Sequence, residues 1–267
     1  MTDTLYKFAK PEGVSLLEQG TVKATPPNEF DDPFEFLPAI EKLSREETHQ
    51  LLTRIITPSA GYTATPPYSS LPRDIQRKLL LRQYQNQSEK RVEIARRFVD
   101  TMSIEWRVLC LARNWGSVSM WSLYAERHTG FVAGFDPTAL EKIVGTQPIK
   151  VDYGERPLFP GDPARQGQLD KYETYRKLVA SKSSEWEYQR EFRFLISKNK
   201  LEDGKIASKP ASLLRFNAAA LREVIFGAHC DICHELMELV KERYPCAKCF
   251  KAELHPTRFE IIKKPLR

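Results

Sequence analysis

The residues of this chain best placed to do chemistry lie in the stretch Ser184-Glu185-Trp186-Glu187-Tyr188-Gln189-Arg190-Glu191-Phe192-Arg193-Phe194-Leu195-Ile196. Phe192, Phe194 and Ile196 alternate with Glu191, Arg193 and Leu195, a period of two that predicts a strand. One face would be apolar and the other would carry Glu191 and Arg193 side by side. Two readings fit. A surface ion pair at this spacing contributes little to stability. A catalytic carboxylate oriented by its arginine needs the same two residues. The strand pattern alone favours the ion pair, and the other polar clusters shift that balance.

The second cluster runs Met120-Trp121-Ser122-Leu123-Tyr124-Ala125-Glu126-Arg127-His128-Thr129-Gly130. On a helix, Trp121, Tyr124 and His128 fall at i, i+3 and i+7, one stripe able to line a pocket with stacking surface and hydrogen-bonding tips. The same stripe serves equally as core, and His128 as a cation at a helix C-terminus. The third cluster, Asp31-Asp32-Pro33-Phe34-Glu35, is turn chemistry on its own and a polar loop if it borders a cleft.

These clusters allow one metal reading, a nuclease in which Asp31, Asp32, Glu187 and Glu191 hold Mg²⁺. Its substrate would meet basic helices at 73–97. Between Leu71 and Arg107 there are nine Lys or Arg against five acids, so the stretch supplies four of the six net positive charges. Such a run is a solvated helix surface or a footprint for nucleic acid, and in the latter case the chain is a binding module with no catalysis.

Positioning these residues falls to a chain of 267 residues, 41% hydrophobic and 28% charged, an ordinary globular composition. Leu5–Phe8 reads as a strand, Val14–Gln19 as a helix closed by Gly20, and Thr21–Ala24 as a second strand. From 37 to 104 the pattern is helical. Ser44 and Glu47 have capping-box spacing, and Leu51, Leu52, Ile55 and Ile56 share a face. A loop with Gly61, Pro66, Pro67 and Pro72 follows. Strands are expected again at Trp106–Leu111, Phe131–Phe135, Ile149–Tyr153, Phe192–Ile196, Glu223–Phe226, Lys248–Leu254 and Arg258–Ile262, with a mobile loop at Gly154–Gln168. The elements alternate irregularly. The expected fold is therefore α+β, with mixed, mostly antiparallel sheets, in one domain over 1–267 with a helical insertion at 37–104 after the second strand.

Cys230-x-x-Cys233 and Cys246-x-x-Cys249 have the look of a zinc site. The spacer between them reads as an amphipathic helix from near Asp231 to before Pro245, which would hold the pairs roughly 18 Å apart. Zinc-sharing sulfurs lie within about 4 Å, so no zinc is expected. Five cysteines, no membrane-length apolar stretch and no signal-like N-terminus point to the cytoplasm, reduced thiols and no membrane.

Taken together, Leu5-Tyr6-Lys7-Phe8, Phe30 to Glu35, the Met120-Trp121 to Gly130 block running into Phe131–Asp136, Glu187 to Arg193, and Val224-Ile225-Phe226-Gly227 resemble the bacterial family called domain of unknown function 2971. The chain departs from that pattern at Asp31, usually Asn, and at Gln189, usually Glu. The layout is more distantly similar to the ADP-ribosyltransferase fold, including DNA-modifying toxins and phage-defence effectors. That resemblance implies NAD as substrate, Glu191 as the catalytic carboxylate, Gln189 positioning the acceptor and Arg193 beside them. It further implies Tyr6, Trp121 or Tyr124 stacking on the nucleotide, Lys7, Arg193 or His128 meeting the pyrophosphate, and Asp32 at the edge. Tyr6 and Lys7 stand where such transferases usually carry His or Arg.

Overall fold

The computed structural model describes residues 4–56, 72, 74–75, 78–79, 87–206 and 209–266. The chain divides into two compact units, one of 1–35, 102–155 and 179–267, the other of 36–101 and 156–178. The helical segment expected at 37–104 falls in the second unit up to residue 101, where 156–178 joins it. Arg73, Arg77 and Arg82 of the basic run, and the loop carrying Gly61, Pro66 and Pro67, lie outside the described residues.

The first unit is built on an eight-stranded sheet. Its strands in chain order are β1 (Leu5–Ala9), β2 (Trp106–Ala112), β3 (Phe131–Phe135), β4 (Ile149–Lys150), β5 (Glu191–Ser197), β6 (Leu221–Phe226), β7 (Lys248–Leu254) and β8 (Ile261–Pro265). Across the sheet the order is β8-β7-β6-β3-β1-β2-β5-β4. Neighbours are antiparallel except β6 and β7, which run parallel and are joined by the helix Cys233–Arg243. The fold is α+β, mixed and mostly antiparallel.

Alternation within the strands builds two buried faces. Leu5, Leu109, Leu111, Phe131, Phe135, Phe194, Ile196 and Phe226 pack against Leu17, Leu140, Val144 and Val240 of the covering helices. Tyr6, Phe8, Ala112, Val132 and Ile225 face the other way, under Met120 and Trp121. A sheet buried on both sides leaves no open face for an exposed ion pair on β5, so the surface reading of Glu191 and Arg193 fails at this point.

Local chemistry sets the ends. Gly20 closes the helix Ser15–Gln19 at φ 66°, the left-handed conformation that costs glycine least. A helix not expected from the sequence, Pro137–Val144, follows β3. Asp136 Oδ1 accepts from the Thr138 N–H at 2.8 Å, and Pro137 sits in the first turn. The expected strand at Arg258–Ile262 begins instead at Ile261, because the His255 ring nitrogen accepts the N–H groups of Thr257 and Arg258 and holds a turn there. The expected strand Ile149–Tyr153 divides at Val151. Ile149–Lys150 joins β5, while Asp152–Tyr153 pairs in parallel with Ser181–Lys182.

In the second unit the capping box forms as expected. Ser44 N–H donates to Glu47 Oε2 at 2.8 Å and Glu47 N–H to Ser44 Oγ at 3.1 Å, opening the helix Arg45–Ile56. Ala39–Ile40 pairs in parallel with Leu158–Phe159, so the stretch expected as a loop at Gly154–Gln168 holds a short strand and the helix Pro163–Gln166. On the basic helix Gln87–Glu105, Lys90 and Arg97 both pair with Glu93.

Candidate functional site

Glu191 opens β5 directly after an irregular turn. Ser184–Gln189 is a 3₁₀ helix and Arg190 takes a left-handed φ of 45° before the strand begins. Gln189 therefore belongs to the turn and Glu191 to the strand. The reversal at Arg190 aims both side chains at Lys182. That ammonium donates to Gln189 Oε1 at 2.8 Å and Glu191 Oε1 at 2.7 Å, and it stands 3.2 Å from Glu35 Oε2.

Arg193 completes a ring of four charges. Its Nε donates to Glu191 Oε2 at 2.6 Å, its Nη1 to the Val179 carbonyl at 3.1 Å, and its Nη2 lies 2.9 Å from Glu35 Oε1. Two carboxylates and two cations alternate, and the charge sums to zero. Burial is graded across the ring. The Arg193 and Glu35 side chains are 0% and 2% exposed, those of Glu191 and Lys182 9% and 7%, so all four are buried and the Glu191–Lys182 pair slightly less deeply.

Charge complementarity fixes the protonation states. Burial opposes ionisation of Glu191, but Arg193 and then Lys182 overcome it and hold the carboxyl below its usual range. Burial likewise disfavours the Lys182 ammonium, but the charge and hydrogen bond of Glu191 together with Glu35 outweigh it, so its pKa rises. Cys110, paired with Arg193 across the sheet, is a protonated thiol, pushed up to about 12 by burial and then by Glu191.

Tyrosines border the Glu191–Lys182 side. The Tyr153 hydroxyl accepts from the Glu191 N–H at 2.8 Å, and the Tyr124 hydroxyl accepts from Gln189 Nε2 at 2.8 Å. Burial is the main reason that the Tyr124 hydroxyl is pushed up to about 12, so it is neutral. Trp186 lies beside Lys182, whose ammonium is 5.4 Å from the ring centroid, and Tyr188 is 6.1 Å from Trp186.

Of the residues singled out from the sequence, Glu191, Gln189, Arg193 and Tyr124 converge here. Lys7 is on the neighbouring β1, where it donates to the Cys110 carbonyl at 3.2 Å; burial is the main cause of its lowered pKa. Tyr6 shares a row of the sheet with Glu191 through Ala112, yet its hydroxyl donates to Glu223 at 3.0 Å, a carboxylate also held by Lys263. Asp32 builds a turn, accepting the Phe34 N–H at 2.9 Å, and it is Glu35 of that cluster that enters the ring. Trp121 is fully buried and donates from Nε1 to the Trp115 carbonyl at 2.7 Å.

The single helical stripe expected for Trp121, Tyr124 and His128 does not form. The helix is Val118–Tyr124, and Glu126, Arg127 and His128 all adopt left-handed φ values. His128 folds back so that its ring stacks on Trp121 at 5.8 Å. Lys182, Glu35 and Tyr153 are the members that sequence reasoning left unassigned. Lys182 stands in a polar stretch, Ser181-Lys182-Ser183-Ser184, with no periodicity to mark it.

Among the described residues no three His, Cys, Asp or Glu gather at metal-ligating distance. Asp31 and Glu187, ligands in the nuclease reading, are exposed, and both Glu191 oxygens are engaged by cations. The cysteine pairs stand at either end of the helix Cys233–Arg243.

The fold and site define an α+β protein with a buried, charge-balanced ring bordered by aromatic side chains. Residues 120–194 match the family described as Protein of unknown function (DUF2971). The matched stretch runs from Met120 to Phe194 and so takes in Tyr124, Tyr153, Lys182, Gln189, Glu191 and Arg193. No curated protein and no solved structure matches the chain.

Proposed function

We propose that the protein transfers ADP-ribose from NAD, with Glu191 as the carboxylate that stabilises the reacting sugar. The observation that carries this reading is Glu191 itself, ionised by two cations and set at the less deeply buried side of the ring with aromatic side chains nearby. A carboxyl held below its usual range is a poor proton donor. It suits the other role in glycosyl chemistry, a negative charge facing an oxocarbenium-like centre as the nicotinamide–ribose bond breaks. Trp186, Tyr188 and Tyr124 offer stacking surface for the nicotinamide. To Gln189, two residues before Glu191 and bonded to Tyr124 and Lys182, the proposal assigns the part of orienting an acceptor.

The test is incubation of the protein with labelled NAD, mixed nucleic acids and cell lysate, beside the Glu191→Gln variant. Wild type should transfer label and the variant should lose about 10²–10³-fold, the usual cost of removing one electrostatic stabiliser. Absence of transfer together with absence of calorimetric NAD binding by folded protein overturns the proposal.

A further inference from the structure

The sequence Cys230-Asp231-Ile232-Cys233 belongs to a different chemistry from the ring, and its setting shows what that is. β6, the helix Cys233–Arg243 and β7 form a parallel strand–helix–strand crossover, with the two cysteines at the point where strand gives way to helix. Asp231 and Ile232 are in a turn, which brings residues three apart within about 7 Å at Cα, inside the range a disulfide spans. Cys230 is buried against the core and Cys233, the first residue of the helix, is partly exposed. All five cysteines are free thiols.

From this placement we propose that Cys230 and Cys233 are a redox-active dithiol that closes to a disulfide. A Cys-x-x-Cys pair at a strand-to-helix junction of a crossover unit is the arrangement in which such chemistry works. The helix N-terminus favours a thiolate on the outer cysteine, and the inner one resolves the mixed disulfide. A cation stands ready as well. Lys251, on β7, donates to the Cys230 carbonyl at 3.0 Å and favours the thiolate of both cysteines. Burial is the larger influence and keeps both as thiols at neutral pH, so oxidation should be slow and should quicken as the pH rises.

The step balances with a low-molecular-weight disulfide as oxidant. The Cys233 thiolate attacks one of its sulfurs, forming a mixed disulfide and expelling one thiolate. The Cys230 thiolate then attacks Cys233 Sγ, forming the protein disulfide and expelling the second. Two electrons pass from the protein to the oxidant, and the two cysteine protons end on the departing thiols.

This inference is independent of the transferase reading. The test equilibrates the full-length protein with glutathione and glutathione disulfide at graded ratios, alkylates free thiols and maps peptides by mass. The expected result is a Cys230–Cys233 peptide lighter by two hydrogens and refractory to alkylation, rising to near-complete conversion as the ratio becomes oxidising. Cys246, which is exposed, serves as the accessible single thiol for comparison. Cys233→Ser should abolish the intramolecular product and leave a Cys246 adduct. The proposal is overturned if Cys230 and Cys233 remain alkylatable at every ratio that modifies Cys246, or if the disulfide recovered joins Cys233 to Cys249 on β7.

Discussion

Arg193 donates from Nε to Glu191 Oε2 at 2.6 Å, two residues apart on one strand, with the arginine side chain wholly shielded from water. Residues at that spacing share a face of the sheet, so the strand itself places the pair. What the strand does not provide is the second carboxylate that a fully buried guanidinium needs, and Glu35 provides it from a turn early in the chain.

The first prediction concerns that dependence. Arg193→Met preserves much of the side-chain volume but leaves Glu35 and Glu191 buried with Lys182 alone. Breaking a buried network from one side typically costs about 3–5 kcal/mol. Urea denaturation should therefore show a midpoint lowered by that free energy divided by the slope, with the slope itself unchanged. A loss below about 1 kcal/mol would mean that the guanidinium is not held as described.

Stability should fall in two steps as the pH is lowered. His128 has a folded pKa below its ordinary 6.5, through burial and then the neighbouring His229. The unfolded chain then takes up a proton first, and stability drops from 6.5 down to the folded value. Glu191 is also lowered, from an ordinary 4.5, so its contribution is present above that pH and is lost as the pH falls through the folded value. Lys182 is raised above 10.5, and its contribution is lost only as the pH climbs through the folded value. Thermal melts across this range should show a plateau between 6.5 and 10.5 so far as these three groups are concerned. His128→Phe should remove the upper acid step and spare the lower one.

Two glycines separate a packing requirement from a permissive loop. A Cβ on Gly130 would lie 2.0 Å from the Ala9 carbonyl oxygen, whereas a Cβ on Gly154 would meet nothing within 4 Å. Gly130→Ala must push β1 and β3 apart at their paired ends and should cost roughly 3 kcal/mol or more, as overpacking against backbone does. Gly154→Ala should stay within about 1 kcal/mol of wild type. Melting temperatures of the two variants check the contrast.

The same residues explain why parts of the fold were legible in the sequence. Local signals were readable because short-range physics decides them: the Ser44–Glu47 capping box, Gly20 after its helix, and the alternation around Phe194. The helix Pro137–Val144 carried readable signals too, Asp136 before Pro137 and Gly145 after Val144, and these were missed. The site was legible only in part. Alternation put Glu191 and Arg193 on one face, but burial of that face depends on Glu35, Val179 and Lys182 closing on it, and Glu35 comes from far away in the chain. Lys182 gave no signal at all, since its place is set by pairing of Ser181–Lys182 with Asp152–Tyr153. Arg190, whose left-handed turn aims Gln189 at Lys182, is not a residue type that advertises such a conformation.

The last prediction asks whether Lys182 tunes Glu191 or merely fills space. Lys182 donates to Glu191 Oε1 at 2.7 Å and is the second of the two cations that lower the carboxyl pKa. Lys182→Met keeps the aliphatic stem and removes the charge, so Glu191 is left to Arg193 alone and its folded pKa must rise. If Glu191 acts as an ionised carboxylate, the acid limb of the pH–rate profile for ADP-ribosyl transfer should move to higher pH in the variant. Lys182→Arg should restore the wild-type limb by returning a cation. Stability should fall by about 1–3 kcal/mol in Lys182→Met, because the Gln189 and Glu35 oxygens lose a buried partner. A purely space-filling lysine would give a different pattern, a lower rate at every pH with the acid limb in place. That outcome would separate the carboxylate's ionisation from the network that surrounds it.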